Sequence, residues 1–168
     1  MRIAPFARSI GMTIAIFIAA AGLGAARAQH QHGHDRAAQA PASPVEDTRE
    51  FVRFPAPLVE HTLANMRDHL HALQEIQDHL GQGHFDVAAR IAESRLGLSS
   101  LGLHSAHDVA PFMPQGMQDA GTAMHKAASR FAVTATDAGV SGDYKAAFAG
   151  LAQVTATCVA CHAGYRIK

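Results

Sequence analysis

The sequence predicts an all-α protein that folds as an antiparallel, up-down-up-down four-helix bundle. Trp is absent from the 168 residues and Gly occurs 14 times, and the many alanines favour closely packed helices over a sheet. Four segments carry apolar side chains at steps of three and four residues, the spacing that places them on one helix face. Their connections are mostly short, and short loops join antiparallel neighbours.

The first 28 residues are typical of a secretory signal. Arg2 and Arg8 precede an apolar run from Ile10 to Leu23, and Ala26-Arg27-Ala28 supplies the A-x-A cleavage pattern. The run is shorter than the roughly 20 residues that span a bilayer. We therefore expect export to the periplasm and no integral membrane segment after cleavage at Ala28.

The charge balance of the exported chain excludes one class of partner. Cleavage removes three of the 14 basic residues and none of the 14 acidic ones, which leaves 11 basic side chains. A mildly acidic protein of this kind lacks the basic stripe that nucleic-acid binding needs.

Residues 29–50 are predicted to form a flexible leader, because they are polar and show no apolar period. The leader contains His30, His32, His34 and Asp35, and neutral imidazoles are common metal ligands. A His-rich metal-binding bundle is therefore an alternative function. Nothing in the spacing defines a coordination geometry, so a soluble tail is the simpler interpretation.

Residues 51–168 are predicted to form the bundle. The first helix should begin near Pro57 and end near Gly81 and Gly83. Its apolar stripe consists of Leu63, Met66, Leu70, Leu73, Ile76 and Leu80. The second helix should begin near Phe85, and its inward residues are Ala88, Ile91, Ala92 and Leu96.

The segment Pro111–Pro114 separates the first two helices from the last two. The third helix is expected to end at Gly139, and its inward face consists of Met117, Ala120, Met124, Ala128 and Phe131. The fourth is expected to have Ser141 as its N-cap. Its inward residues are Tyr144, Ala147, Leu151 and Val154, and it continues into a cysteine motif.

The segment Cys158-Val159-Ala160-Cys161-His162 carries the chemistry of this chain. Residues three and four apart share a helix face, so the two thiols and the imidazole project from one side. Two thiols at this spacing can form thioethers with the vinyl groups of one haem, while His162 binds its iron. C-x-x-C-H is the attachment pattern for c-type haem, and the sequence predicts one covalently bound haem c.

Other interpretations of the two cysteines are weaker. A disulfide suits an oxidising compartment, but it would close a very small loop. A thiol redox centre of the thioredoxin type needs a βαβ context. A zinc site needs two further ligands; His104 and His107 can supply them, although nothing in the spacing requires it.

The residues that follow the motif, Ala163-Gly164-Tyr165-Arg166, extend this pattern. With one C-x-x-C-H at the end of four helices, the sequence resembles the class II cytochromes c, which comprise cytochrome c′ and the low-spin cytochrome c-556 group. The resemblance covers about Val52 to Lys168. It implies thioethers at Cys158 and Cys161, His162 as the proximal iron ligand, and Arg166 as a basic residue beside the haem.

The sixth iron ligand separates an electron carrier from a gas-binding protein. A Met thioether opposite His gives a closed electron carrier, and the family contains this type as well as a type with an open site. Met66 lies on the apolar stripe of the first helix and is the predicted sixth ligand. His69, one turn away, offers bis-histidine ligation instead, whereas Met117 and Met124 belong to the third helix. Seven further histidines are predicted to lie mainly on the surface without a role: His61, His71, His79, His84, His104, His107 and His125.

The predicted function is that of a periplasmic mono-haem cytochrome that carries single electrons and is not an enzyme. Its expected partners are transient redox proteins, and the resemblance is compatible with a homodimer. The first alternative is a five-coordinate cytochrome c′ that binds NO or CO, and the second is the His-rich metal-binding bundle. Because His changes charge between about pH 5 and 8, we expect a redox potential that shifts with pH.

Overall fold

The computed structural model describes residues 46–167, and these form an all-α structure, as predicted. The helices are α1 (Ala56–Gly81), α2 (Phe85–Ile91), α3 (Ala106–Val109), α4 (Gln115–Ser141) and α5 (Tyr144–Gly164). A π-helical turn, Ala92–Leu96, extends α2, and 3₁₀ turns occupy Leu98–Ser100 and Ala110–Phe112. Two short strands, β1 (Glu50–Phe51) and β2 (Tyr165–Arg166), pair in parallel. The predicted signal and His30, His32, His34 and Asp35 lie outside the described residues.

Helix α1 has the limits that the sequence predicts. Pro57 lies in the first turn, where its missing N–H leaves no helical bond unmade. The predicted stripe is confirmed at Ile76 and Leu80, which are buried. It is wrong at Leu70, which is 70% exposed, because the packed face of α1 is centred on Ala72, Ile76 and Leu80.

The end of α4 differs from the prediction. The helix continues through Gly139 to Ser141 and ends where Gly142 adopts a φ of 75°. Glycine reaches this left-handed conformation without the steric cost that a side chain imposes, so Gly142 and not Gly139 closes the helix.

The start of α5 also differs from the prediction. Asp143 and not Ser141 is the N-cap, because the Asp143 carboxylate accepts a hydrogen bond from the Ala146 N–H at 3.0 Å. Tyr144 was predicted to face the core, but it is half exposed. Its ring packs edge-on against Phe85, with 4.9 Å between the ring centroids.

The core combines many alanines with a few large side chains. The buried alanines are Ala72, Ala88, Ala89, Ala92, Ala127, Ala128, Ala132, Ala135, Ala138 and Ala147. Phe131, Ile76, Leu80 and Leu96 are the largest side chains that are fully buried. Small residues allow close helix approach: a Cβ on Gly150 of α5 would lie 3.3 Å from the Phe131 ring of α4.

Within residues 46–167, one helix, α5, has the length and apolar composition to cross a membrane. A core helix can meet the same two criteria. Ala147, Leu151 and Val154 of α5 are buried in the core described above. The absence of an integral membrane segment after signal cleavage stays a prediction.

Candidate functional site

A cavity of about 450 Å³ lies where α1, α4, the 97–114 connection and the C-terminal end of α5 meet. Its volume falls within the range of small-molecule and cofactor sites. The lining is mainly apolar and includes Leu63, Met66, Val109, Met113, Met117, Met124 and Ile167. Such a cavity suits a largely apolar ligand with a few polar groups at its edge.

Most of the predicted site residues line this cavity. Met66 contributes from α1, Cys161 and His162 from the last turns of α5, and Arg166 from β2. Cys158, one turn before Cys161, is half-buried and packs against the hydrophobic core. The fold thus brings Met66 of the first helix to the cavity that Cys161 and His162 of the C-terminal motif also line.

Both cysteines of the motif are free. Burial raises the pKa of the Cys158 thiol. Burial also raises the pKa of Cys161, and the nearby Cys158 adds to the effect. Both therefore remain protonated thiols at neutral pH. Within residues 46–167, no three His, Cys, Asp or Glu side chains form a group that could hold a metal ion.

The two histidines considered for a zinc site, His104 and His107, lie in different environments. His104 is buried and lines the cavity. His107 is fully exposed at its side chain and does not line the cavity. A zinc site that combines both histidines with the cysteine pair is therefore not formed.

The C-terminal segment is held by residues just before α1. Val52 N–H donates to the Arg166 carbonyl at 2.8 Å, continuing the β1–β2 pairing. Arg49 donates through Nη1 to the His162 carbonyl at 3.4 Å. Arg49 belongs to the stretch predicted as leader, so the 50/51 boundary falls inside a segment that contacts the motif.

Arg166 is held at the cavity wall by two further contacts. Its guanidinium carbon lies 5.1 Å from the centre of the Phe51 ring, a cation–π distance. Its Nε forms an ion pair with Asp47 at 3.4 Å. Hydrogen bonds from Arg49 are the main cause that lowers the pKa of Asp47 to about 2, so this carboxylate stays charged at neutral pH.

The residues of the cavity fit a haem. Thr62 and Arg166 both line the cavity wall. Thr62 Oγ1 is buried without a hydrogen-bond partner, and Arg166 Nε, which lies in the ion pair with Asp47, makes no hydrogen bond. An unpaired buried polar group is costly, which favours a ligand that supplies acceptor atoms. The carboxylates of haem propionates are such acceptors for Arg166, and the apolar lining suits the macrocycle.

The cavity also contains a feature that the sequence analysis missed, a cluster of His69, His104 and His125. The ring centroids of His69 and His104 are 4.5 Å apart, and those of His104 and His125 are 5.4 Å apart. His69 Nε2 and His104 Nε2 form a hydrogen bond of 3.2 Å. His125 Nδ1 donates to the Leu96 carbonyl at 2.8 Å. We call these three residues the histidine cluster.

Two members of the histidine cluster resist protonation. Burial, reinforced by the neighbouring His104 and His125 rings, lowers the pKa of His69 to about 4. Burial and then the nearby His125 lower the pKa of His104. Both rings are therefore neutral at pH 7, when their nitrogens can donate or accept hydrogen bonds.

The prediction of a surface position is wrong for His104 and His125, which are buried. His125 follows Met124 and shares its cavity wall, but helical periodicity alone did not separate it from the polar face. His104 lies in the irregular 97–105 segment, where no period signals burial. This segment folds back over α1, and His61 Nε2 and Asn65 Nδ2 approach the His104 carbonyl at 3.2 and 3.3 Å.

Comparison of the chain with protein-family models, curated proteins and solved structures gave no significant match. The resemblance to the class II cytochromes c therefore rests on the motif and the helical pattern.

Proposed function

We propose that this protein is an exported c-type cytochrome that carries single electrons through one covalently bound haem. One observation carries the proposal: the C-x-x-C-H motif at the end of α5 borders a largely apolar cavity whose wall also includes Met66 and Arg166. The haem would supply the redox change when bound. The protein would have no substrate chemistry of its own.

In this proposal the chain's residues hold the cofactor in one orientation. Cys158 and Cys161 would provide the two thioethers, and His162 would bind the iron. The hydrogen bond from Arg49 to the His162 carbonyl restrains the backbone that carries this imidazole. Arg166, which lines the cavity wall, would pair with a propionate.

Met66 is the proposed sixth ligand. Its side chain is half-buried, lines the cavity, and comes from α1 while His162 comes from α5. Methionine is also a common core filler, and Met113, Met117 and Met124 line the same cavity. Substituting Met66 and, separately, one of these other methionines is therefore needed to distinguish iron ligation from packing.

We further propose that the long helices form the up-down-up-down bundle. Gly116 near the start of α4 lies beside Tyr165, which directly follows α5, and Gly150 near the start of α5 lies beside Phe131. Gly139 near the end of α4 lies beside Phe85 at the start of α2, and the Leu96 carbonyl bonds His125. Each pair of contacts advances in opposite directions along its two helices, which supports antiparallel neighbours.

The first test is haem attachment. Full-length protein produced with a haem-attachment system should retain haem after denaturation, because thioethers are covalent. The Cys158→Ala/Cys161→Ala double variant should lose it, whereas Ser94→Ala, a substitution of an exposed residue on α2's extension, should not. Haem that washes out of the wild type would reject the proposal.

The second test is the sixth position. A low-spin spectrum of the reduced protein that carbon monoxide leaves unchanged would support Met66 ligation and electron transfer. Met66→Ala should then turn high-spin and bind carbon monoxide, while the matched Met117→Ala variant should not. A wild type that is already high-spin and binds carbon monoxide would favour the five-coordinate, gas-binding alternative.

A further inference from the structure

The histidine cluster forms part of the wall of the cavity proposed for the haem, and its hydrogen bonds define which ring nitrogens carry protons. The Ser100 hydroxyl donates to the Gly97 carbonyl at 2.7 Å. Ser100 Oγ can then only accept from His104 Nδ1, which lies 3.4 Å away. His104 is therefore protonated on Nδ1, and its Nε2 must accept the hydrogen bond of 3.2 Å from His69 Nε2.

Because His69 donates through Nε2 in this chain of hydrogen bonds, its Nδ1 is unprotonated. That nitrogen has no hydrogen-bond partner among the described residues. His125 also has one ring nitrogen without a hydrogen-bond partner, because its Nδ1 donates to the Leu96 carbonyl and its Nε2, which can accept when the ring is neutral, has no partner among the described residues. The fully buried side-chain polar atoms in residues 46–167 that make no hydrogen bond are Thr62 Oγ1, His79 Nδ1 and Arg166 Nε. The free nitrogens of His69 and His125 are not among them, so both keep some accessible surface, and both residues line the cavity.

Two acceptor nitrogens in a largely apolar cavity favour one kind of ligand. A neutral imidazole lone pair attracts an N–H or O–H group and gives no hydrogen bond to a molecule without such a group. The low pKa of His69, near 4, keeps this lone pair free at neutral pH. His69 also lies one helical turn from Met66 on the same wall.

We propose that His69 and His125 form an acceptor subsite beside the sixth iron position, which selects small neutral ligands that carry hydrogen on the iron-binding atom. His104 and Ser100 act as positioning residues that set the proton on His69. The inference rests on the proposed haem function. Ammonia is a suitable probe of this ligand class, and carbon monoxide, which has no hydrogen, is the matched probe outside it.

The experiment uses full-length haem protein with Met66→Ala to open the sixth position. Ammonia binding to the oxidised protein, at about pH 9, and carbon monoxide binding to the reduced protein are followed by absorption. Adding His69→Leu should lower the ammonia affinity about three- to tenfold, the effect of one lost hydrogen bond, and leave the carbon monoxide affinity unchanged. His69→Gln, whose amide oxygen still accepts, should restore much of the affinity.

His107→Leu is the control, because it makes the same change at a fully exposed side chain and should alter neither affinity. Equal losses for both ligands, or no loss of ammonia binding in His69→Leu, would overturn the inference. It would also be overturned if Met66→Ala gave a low-spin spectrum that disappeared on adding His69→Leu, since His69 would then bind iron itself. In these cases the haem stays covalently attached, whereas loss of attachment would reject the proposed function.

Discussion

The histidine cluster should make this protein sensitive to mild acid, and His69→Gln is the substitution that tests it. The pKa of His69 falls from an ordinary 6.5 to about 4 in the folded chain, mainly through burial. Between these values the unfolded chain binds a proton that the folded chain does not, so stability falls as pH is lowered. A shift of this size corresponds to about 3 kcal/mol of unfolding free energy lost between pH 7 and pH 4.

The assay is urea unfolding of the haem protein, followed by helical circular dichroism at about pH 7, 5.5 and 4. His69→Gln lacks the titrating ring. The free energy of unfolding of the wild type minus that of the variant should therefore fall by about 3 kcal/mol from pH 7 to pH 4. Taking the difference between the two proteins removes contributions that both share, such as protonation of the proximal histidine and the carboxylates. His107→Gln, at a fully exposed side chain, should give a curve parallel to the wild type. Parallel curves for His69→Gln would refute the reasoning, because they would mean that the surroundings of His69 do not lower its pKa in the folded protein.

Three further substitutions test the fold. Phe131→Ala should lower the free energy of unfolding in urea by about 3–5 kcal/mol, because this side chain is fully buried among alanines that cannot fill its space. Val133→Ala, at an exposed position, is the control. A loss below about 1 kcal/mol for Phe131→Ala would contradict the packing. Asp143→Ala should cost about 1 kcal/mol by removing the α5 cap, and equal stability would argue against the cap. Arg95 donates a hydrogen bond to the Asp68 carboxylate and lowers its pKa. The carboxylate therefore stabilises the folded chain above its unfolded pKa of about 4, and this contribution is lost as the pH falls through the lower folded pKa. Asp68→Asn should therefore show a smaller loss of stability on acidification than the wild type, and equal losses would contradict this ion pair.

Sequence periodicity predicted α1 and the approach to the cysteine motif well, because both depend on local spacing. It placed the α4–α5 junction incorrectly, since Ser141, Gly139 and Asp143 all carry plausible capping chemistry. The junction is decided instead by Gly142, which adopts the left-handed φ, and by the Asp143 carboxylate, which meets a free N–H. These are properties of the folded backbone that a list of residue types does not contain.

The candidate site also has one part that local sequence spacing predicts and another that depends on how the helices pack. The sequence by itself determined that two thiols and an imidazole share one face of a helix, because positions three and four apart on a helix are always neighbours. Only the tertiary structure decided that Met66 and Arg166 border the same cavity as His162. It also decided that half-buried His69 clusters with buried His104 and His125 beside them. The physical reason is that these contacts join helices with an irregular segment, and their geometry follows from how the elements pack and not from any local period.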